Sequence, residues 1–170
     1  MSSNIHSFEP IINANSRILI LGTLPSSESL KRNQYYANPM NQFWKIIYSV
    51  FGEVGIDIEY EKRIRFLLDH EIAIWDMFHA ADREGSLDAN IKNGIPNEIP
   101  GLLQNYTLIK RIILAGRSAE KAFLKNFPNI DISAIYVPST SPACAKPFDE
   151  KIQHWKKAIL DEPLHSKTAG

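Results

Sequence analysis

Cysteine is the scarcest residue of this chain. Among 170 residues Cys144 stands alone, which excludes an internal disulfide and any four-thiolate zinc or iron–sulfur site built from this chain. Long apolar runs are also missing: none reaches the roughly 18 residues that a membrane-spanning helix needs. The opening MSSNIHSFEP has neither the basic start nor the apolar stretch of a signal peptide. A cytoplasmic protein with no membrane partner is the expectation. The eight glycines form no G-x-G-x-x-G and no P-loop, so nicotinamide and nucleoside triphosphate sites lack support. There is no G-x-S-x-G elbow and no H-E-x-x-H pair. The five histidines are scattered, and neither a metal nor any other cofactor is expected.

Formal net charge is zero, yet its distribution is uneven. Residues 1–104 hold 9 basic and 13 acidic side chains, whereas residues 105–157 hold 9 and 4. Lys110, Arg111, Arg117, Lys121, Lys125, Lys146, Lys151, Lys156 and Lys157 offer a phosphate-facing surface, because binding follows the local field rather than the net charge. The alternative is a solvated set of helix faces.

The length fits one domain, taken as residues 1–160, with 161–170 as a flexible C-terminal tail. Four mostly apolar runs read as strands buried on both faces: residues 17–21, 71–75, 111–114 and 132–137. Helical spacing marks residues 41–51, 60–69, 118–126 and 146–160, with Asn41 as an N-cap before the stripe Phe43, Trp44, Ile46, Ile47 and Val50. Residues 82–100 read as an extended surface loop with a short helix near 87–91. Alternation of strand and helix predicts an α/β fold with a parallel sheet covered by helices. Ligands of such sheets collect beyond the strands' carboxyl ends, which singles out residues 22–41, 76–88, 116–118 and 138–146.

Two of these segments carry suitable chemistry. Residues 22–44, GTLPSSESLKRNQYYANPMNQFW, combine small hydroxyls, a basic pair, two tyrosines and two asparagines directly after a strand. Hydroxyls and helix-start N–H groups hold phosphates, and flat rings stack on bases. Residues 138–146, PSTSPACAK, give a second phosphate-grade turn.

The fragments GTLPSSESL, YYANPMNQFW, IAIWD, REGSLDANI and VPSTSPA, in this order, resemble the uracil-DNA glycosylase superfamily, and most of all its hypoxanthine (deoxyinosine) branch. The resemblance implies a three-layer α/β/α sandwich around a four-stranded parallel sheet. It also implies a metal-free DNA glycosylase that flips out and hydrolyses a deaminated base; a monomer is expected separately. Hypoxanthine is the favoured base, uracil the alternative, and a lesion-binding module without catalysis the rival of another class. Related members carry Asn, Asp or Glu where this chain has Leu24, so the resemblance moves the water-orienting role to Asn41, with Asn38 second. It puts Thr23, Leu24, Pro25, Tyr35, Tyr36 and Phe43 around the flipped base. Asp76, at a strand end, is placed to accept the N1–H that deamination of adenine creates. Ser26, Ser27, Ser139, Ser141 and Lys146 are assigned to DNA phosphates.

Overall fold

A computed structural model of the protein describes residues 3–161. The tail assigned to residues 161–170 lies outside the described residues from 162 onward. Strand β1 (Ser3–His6) precedes β2 (Ile18–Gly22), which runs into helices α1 (Ser27–Arg32), α2 (Phe43–Val50) and α3 (Tyr60–Asp69). Strands β3 (Ile72–Asp76), β4 (Phe78–Arg83) and β5 (Lys92–Pro96) follow, with a 3-10 turn over Asp88–Asn90 before the last of them. The chain then alternates α4 (Ile99–Asn105), β6 (Arg111–Ala115), α5 (Arg117–Asn126), β7 (Ser133–Val137) and α6 (Phe148–Leu160).

The main sheet has the order β3-β2-β6-β7 and all its pairs are parallel. Its central strand reads ILILG, and alternate residues point to opposite layers. Ile20, together with Ile72, Ile74, Ile113 and Val137, packs under α2, α3 and α6 through Ile46, Ile47, Leu67 and Trp155. Leu19 and Leu21, with Ala73, Ile112 and Leu114, pack under α4 and α5 through Ile99, Leu102, Ala119 and Phe123. Apolar residues on both faces make this a three-layer α/β/α sandwich, and they explain why the strands show no polar alternation.

A second sheet of three antiparallel strands, ordered β1-β4-β5, was not visible as strands in the sequence. It corrects the reading of residues 82–100 as an extended loop: only the turn at Asp88–Asn90 matches the short helix expected there. Strand β5 is KNGIP, glycine and proline included, and it pairs with β4 through register shifts. Local propensity opposes such a strand, and the pairing overrides it. This sheet supports the turn after β2, because Leu24 packs against Ile5 and Ala81.

Two of the nine basic side chains proposed for a phosphate surface are instead buried. The Arg111 guanidinium donates to the carbonyls of Ala158 at 2.8 Å and Ile159 at 3.3 Å, and also to that of Asp161, closing the end of α6. The Lys151 ammonium donates to Gln42 Oε1 at 2.9 Å and to the Cys144 carbonyl at 3.0 Å, tying α6 to the start of α2 and to the turn after β7. Helix ends leave carbonyls unpaired, and Arg111 satisfies those of α6. Arg111→Met should therefore cost roughly 1–3 kcal/mol. At about 2–4 °C per kcal/mol for a chain of this size, thermal unfolding should register the loss directly.

Candidate active site

The order of the main sheet places a switch point beside β2: the chain leaves β2 toward β3, then crosses back to add β6 on the other side. Beyond the carboxyl ends of β2, β3 and β6 a cavity of about 290 Å³ opens. Its floor is Gly22 and Asp76. One wall is the turn Thr23, Leu24, Pro25 and Ser26, another is Tyr35, Tyr36 and Asn41, and a third is Ser139 to Ser141 with Gly116 and Arg117. The loop before β5 adds Ser86, Leu87 and Asp88.

Gly22 is required by packing. A Cβ at this position would come within 3.0 Å of Asp76 Oδ1 and 3.1 Å of Tyr36 Oη, so both polar groups converge on the end of the central strand. Gly116 has φ +99 and faces Ser139, whose Cβ would lie 3.1 Å from an added methyl. There the backbone conformation and the close approach both select glycine.

Asp76 is 4% exposed and its Oδ2 makes no hydrogen bond among the described residues. Burial, and after it the Asp88 carboxylate, pushes its carboxyl up to about 7, with the Arg83 guanidinium acting in the opposite sense. Tyr36 sits in the left-handed region at φ 53, and its ring is stacked on Phe43 with centroids 3.8 Å apart. Burial, then Asp76 and Asp88, holds its phenol well above the usual range. Tyr35 is fixed from three sides: its hydroxyl donates to the Glu9 carbonyl at 2.8 Å, its N–H donates to Tyr60, and its carbonyl accepts from Trp44.

Asn41 lies on the wall, and its Oδ1 accepts the Phe43 N–H at 2.9 Å. This closes a turn just ahead of α2 and corrects the reading of Asn41 as the N-cap: that position belongs to Gln42, whose side chain does not cap the helix. Asn38 is not on the wall; its Oδ1 accepts the Met40 N–H and its carbonyl accepts the Asn41 N–H. Phe43 is corrected from base contact to core residue, being fully buried behind Tyr36. Ser27 is turned away, its N–H and hydroxyl both 3.0 Å from Ser86 Oγ. Lys146 is off the wall and pairs with Glu150 at 3.2 Å. Ser26 Oγ accepts the Ser29 N–H as the cap of α1. Ser139 and Ser141 each accept a backbone N–H of their own turn, at 3.1 and 3.2 Å, which leaves their hydroxyl protons available.

Several wall residues were not singled out for this site from the sequence, Asp88, Ser86 and Arg117 among them. Asp88 accepts the Thr23 hydroxyl at 2.7 Å. Ser86 binds Ser27, as above. Arg117 had counted only as part of the basic surface; its guanidinium lies 3.5 Å from the centroid of the Tyr136 ring at the cavity rim, paired with Glu120. The signal for Asp88 was present in REGSLDANI, but its partner Thr23 lies 65 positions away.

The buried carboxyl has a measurable cost. A carboxyl whose pKa rises on folding favours the folded state below its unfolded value near 4, and that contribution is lost as pH rises through about 7. Asp76→Asn removes the charge while keeping the shape. It should raise Tm at about pH 8, by roughly 8 °C or more given about 1.4 kcal/mol per pKa unit and about 2–4 °C per kcal/mol, and the gain should shrink toward about pH 4. Calorimetry of both proteins across that range checks the sign.

Comparison with known proteins agrees with this geometry. Residues 9–162 match the model of the uracil DNA glycosylase superfamily. A hypoxanthine DNA glycosylase of Methanosarcina acetivorans is 40% identical over 112 residues, covering 66% of this chain and 71% of its own length. One from Methanosarcina barkeri is 37% identical over 112 residues with the same coverage. Among solved structures, the solution NMR structure of a candidate uracil DNA glycosylase from Methanosarcina acetivorans superposes with a TM-score of 0.82 at 32% identity, over 92% of this chain and 97% of that one. With its sheet order, its cavity at the strand ends and a match across nearly its whole length, the chain belongs to the uracil DNA glycosylase superfamily.

Proposed function

We propose that the protein is a monofunctional DNA glycosylase that flips a deaminated base, hypoxanthine, out of the duplex and hydrolyses its N-glycosidic bond in base excision repair. The observation that carries the reading is the unpartnered Asp76 carboxyl on the floor of a cavity sized for one base. Deamination turns the adenine N1 from an acceptor into an N–H donor beside a new carbonyl. Asp76 accepts that N–H, and the backbone N–H groups of the turn at Thr23 to Ser26 face the carbonyl as negative charge develops on the leaving base. Being easily neutralised, Asp76 opposes this charge less than an ordinary carboxylate would. The relatives named hypoxanthine DNA glycosylases favour the same base.

Asn41 orients the attacking water with the part of its amide not engaged by Phe43. Because bond breaking runs ahead of attack in such an oxocarbenium-like reaction, orientation matters more than strong polarisation. Tyr36 and Tyr35 contact the base, whereas Ser26, Ser139 and Ser141 grip the flanking phosphates and Lys146 adds charge outside the cavity. Among the described residues no lysine lines the cavity, so a Schiff-base lyase step has no candidate nucleophile among them. The protein acts as a monomer, in the cytoplasm, as one domain over residues 1–160.

Incubation of purified protein with duplexes carrying one deoxyinosine, uracil or normal base, followed by alkali, should break the deoxyinosine strand. Cleavage at uracil alone would change the base assignment, and binding without cleavage would reduce the protein to a lesion-binding module. Asn41→Ala should slow single-turnover cleavage by ~10²-fold with substrate affinity nearly unchanged. Loss of the hydrogen bond to the Phe43 N–H alone would cost about 1 kcal/mol of stability and leave the rate intact, so rate and Tm are measured together.

A further inference from the structure

Hydrolysis of a glycosidic bond needs more than an oriented water. Some group must take the water's proton, and a negative charge must face the cationic sugar. On the cavity wall few side chains qualify. Asn41 has one lone pair committed to the Phe43 N–H and cannot accept a proton at neutral pH. Tyr36 is held in its protonated form by burial and two nearby carboxylates. Asp76 lies on the floor, where the base itself would cover it.

We propose that Asp88 is the residue that accepts the proton of the attacking water and faces the positive charge on the sugar, a role that rests on the glycosylase reading above. Its carboxylate is anchored at one oxygen and open at the other. Oδ1 accepts the Thr23 hydroxyl at 2.7 Å. Oδ2 makes no hydrogen bond among the described residues, and unlike Asp76 Oδ2 it is not sealed from solvent. The loop that carries it is pinned to the turn after β2 at two further points. Arg83, itself 2% exposed, donates to the carbonyls of Pro25 and, at 2.9 Å, of Gly85. Ser86 Oγ accepts the Ser27 N–H at 3.0 Å. A carboxylate fixed by three links between two loops is positioned before any substrate arrives.

The C1′–N9 bond breaks and its electron pair leaves with the base. The water oxygen bonds to C1′, and one water proton passes to Asp88 Oδ2 and then to solvent, which protonates the departed base. Two carboxyls of unequal protonation in one site is the arrangement that glycoside hydrolysis uses. Here Asp76 is the one buried without a partner, and Asp88 is the one that receives a hydrogen bond. The charged and titratable groups facing Asp88 are Asp76 from β3, Arg83 from β4 and Tyr36 from the connection before α2. Burial raises the Asp88 pKa, while the Thr23 hydroxyl and Arg83 lower it. The reaction should accordingly lose rate on the acid side as Asp88 takes up a proton.

Asp88→Asn is the decisive variant, since an asparagine still accepts the Thr23 hydroxyl and removes only the charge. Single-turnover cleavage of a deoxyinosine duplex is followed from about pH 4.5 to 8.5 for the parent, Asp88→Asn and Asp88→Glu, with duplex affinity and Tm determined alongside. Asp88→Asn should fall by ~10²–10³-fold at neutral pH, keep its affinity within about twofold, and lose the acid limb. Asp88→Glu should restore that limb and part of the rate, which keeps the assignment testable should the asparagine variant fold poorly. An Asp88→Asn protein cleaving at the parent rate, or an Asp88→Glu protein without the acid limb, overturns the role of Asp88 alone. A parent that cleaves no duplex overturns the glycosylase reading and this role together.

Discussion

Strand β2 is hydrogen-bonded on both sides and buried on both faces, and the molecule is organised around the way it ends. Ile18 to Leu21 pair with β3 and β6 and hold the two layers of helices apart. At Gly22 the strand has no room for a side chain, because the Asp76 carboxyl and the Tyr36 hydroxyl close on it from two directions. The chain must then turn, and the turn takes its support from a second sheet rather than from the sandwich. Leu24 anchors it to β1 and β4, and Arg83 holds its Pro25 carbonyl. The cavity exists because a rigid strand stops at a glycine between two immobilised loops.

This explains why the small sheet persists despite poor local propensity. A strand of sequence KNGIP gains little from its own residues. Its pairing with β4 fixes the chain on either side of the loop bearing Ser86 and Asp88, and that loop closes one wall of the cavity. Likewise the N-terminal strand β1 pairs with β4 over Ser3 to His6 and leads into the segment whose Phe8 carbonyl accepts the Trp75 indole N–H at 3.0 Å. Elements that contribute no wall residue thus set where the wall residues stand.

The parts of the fold that could be read from the sequence are those governed by local periodicity. RILIL, EIAIW, RIIL and ISAIYV are apolar runs with stops at their ends, and the structure places strands within a residue or so of each. Helix α3 falls on its expected residues, and α6 starts two residues later than expected, after Pro147. What escaped was nonlocal. Lys151 and Arg111 look like any surface cation in sequence; they are buried because helix-end and loop carbonyls, and Gln42, require donors at those places. Phe43 sits in an active-site-like motif, yet its position in the first turn of α2 directs it into the core behind Tyr36. Asp88 meets Thr23 through a loop held between two strands of the small sheet, and no spacing rule links them.

The treatment of buried charge separates what holds the protein together from what it uses. Arg83, Arg111 and Lys151 are each nearly inaccessible, and each is met by carbonyl oxygens that replace the water it has lost. A cation so satisfied stabilises loop and helix ends at modest net cost. Asp76 is equally buried, and its Oδ2 is the one buried side-chain polar atom without a partner among the described residues. An unpaired carboxyl in an apolar setting works against folding, and nothing in the packing demands one there: an asparagine would fill the same space. Asp76 also lines the cavity, and a ligand there would satisfy its carboxyl by presenting an N–H or O–H to the end of β3. On the proposed role of Asp76, a base whose N1 carries a proton would meet it with a ring N–H, whereas adenine, whose N1 is a bare lone pair, would have only its exocyclic amino group to offer.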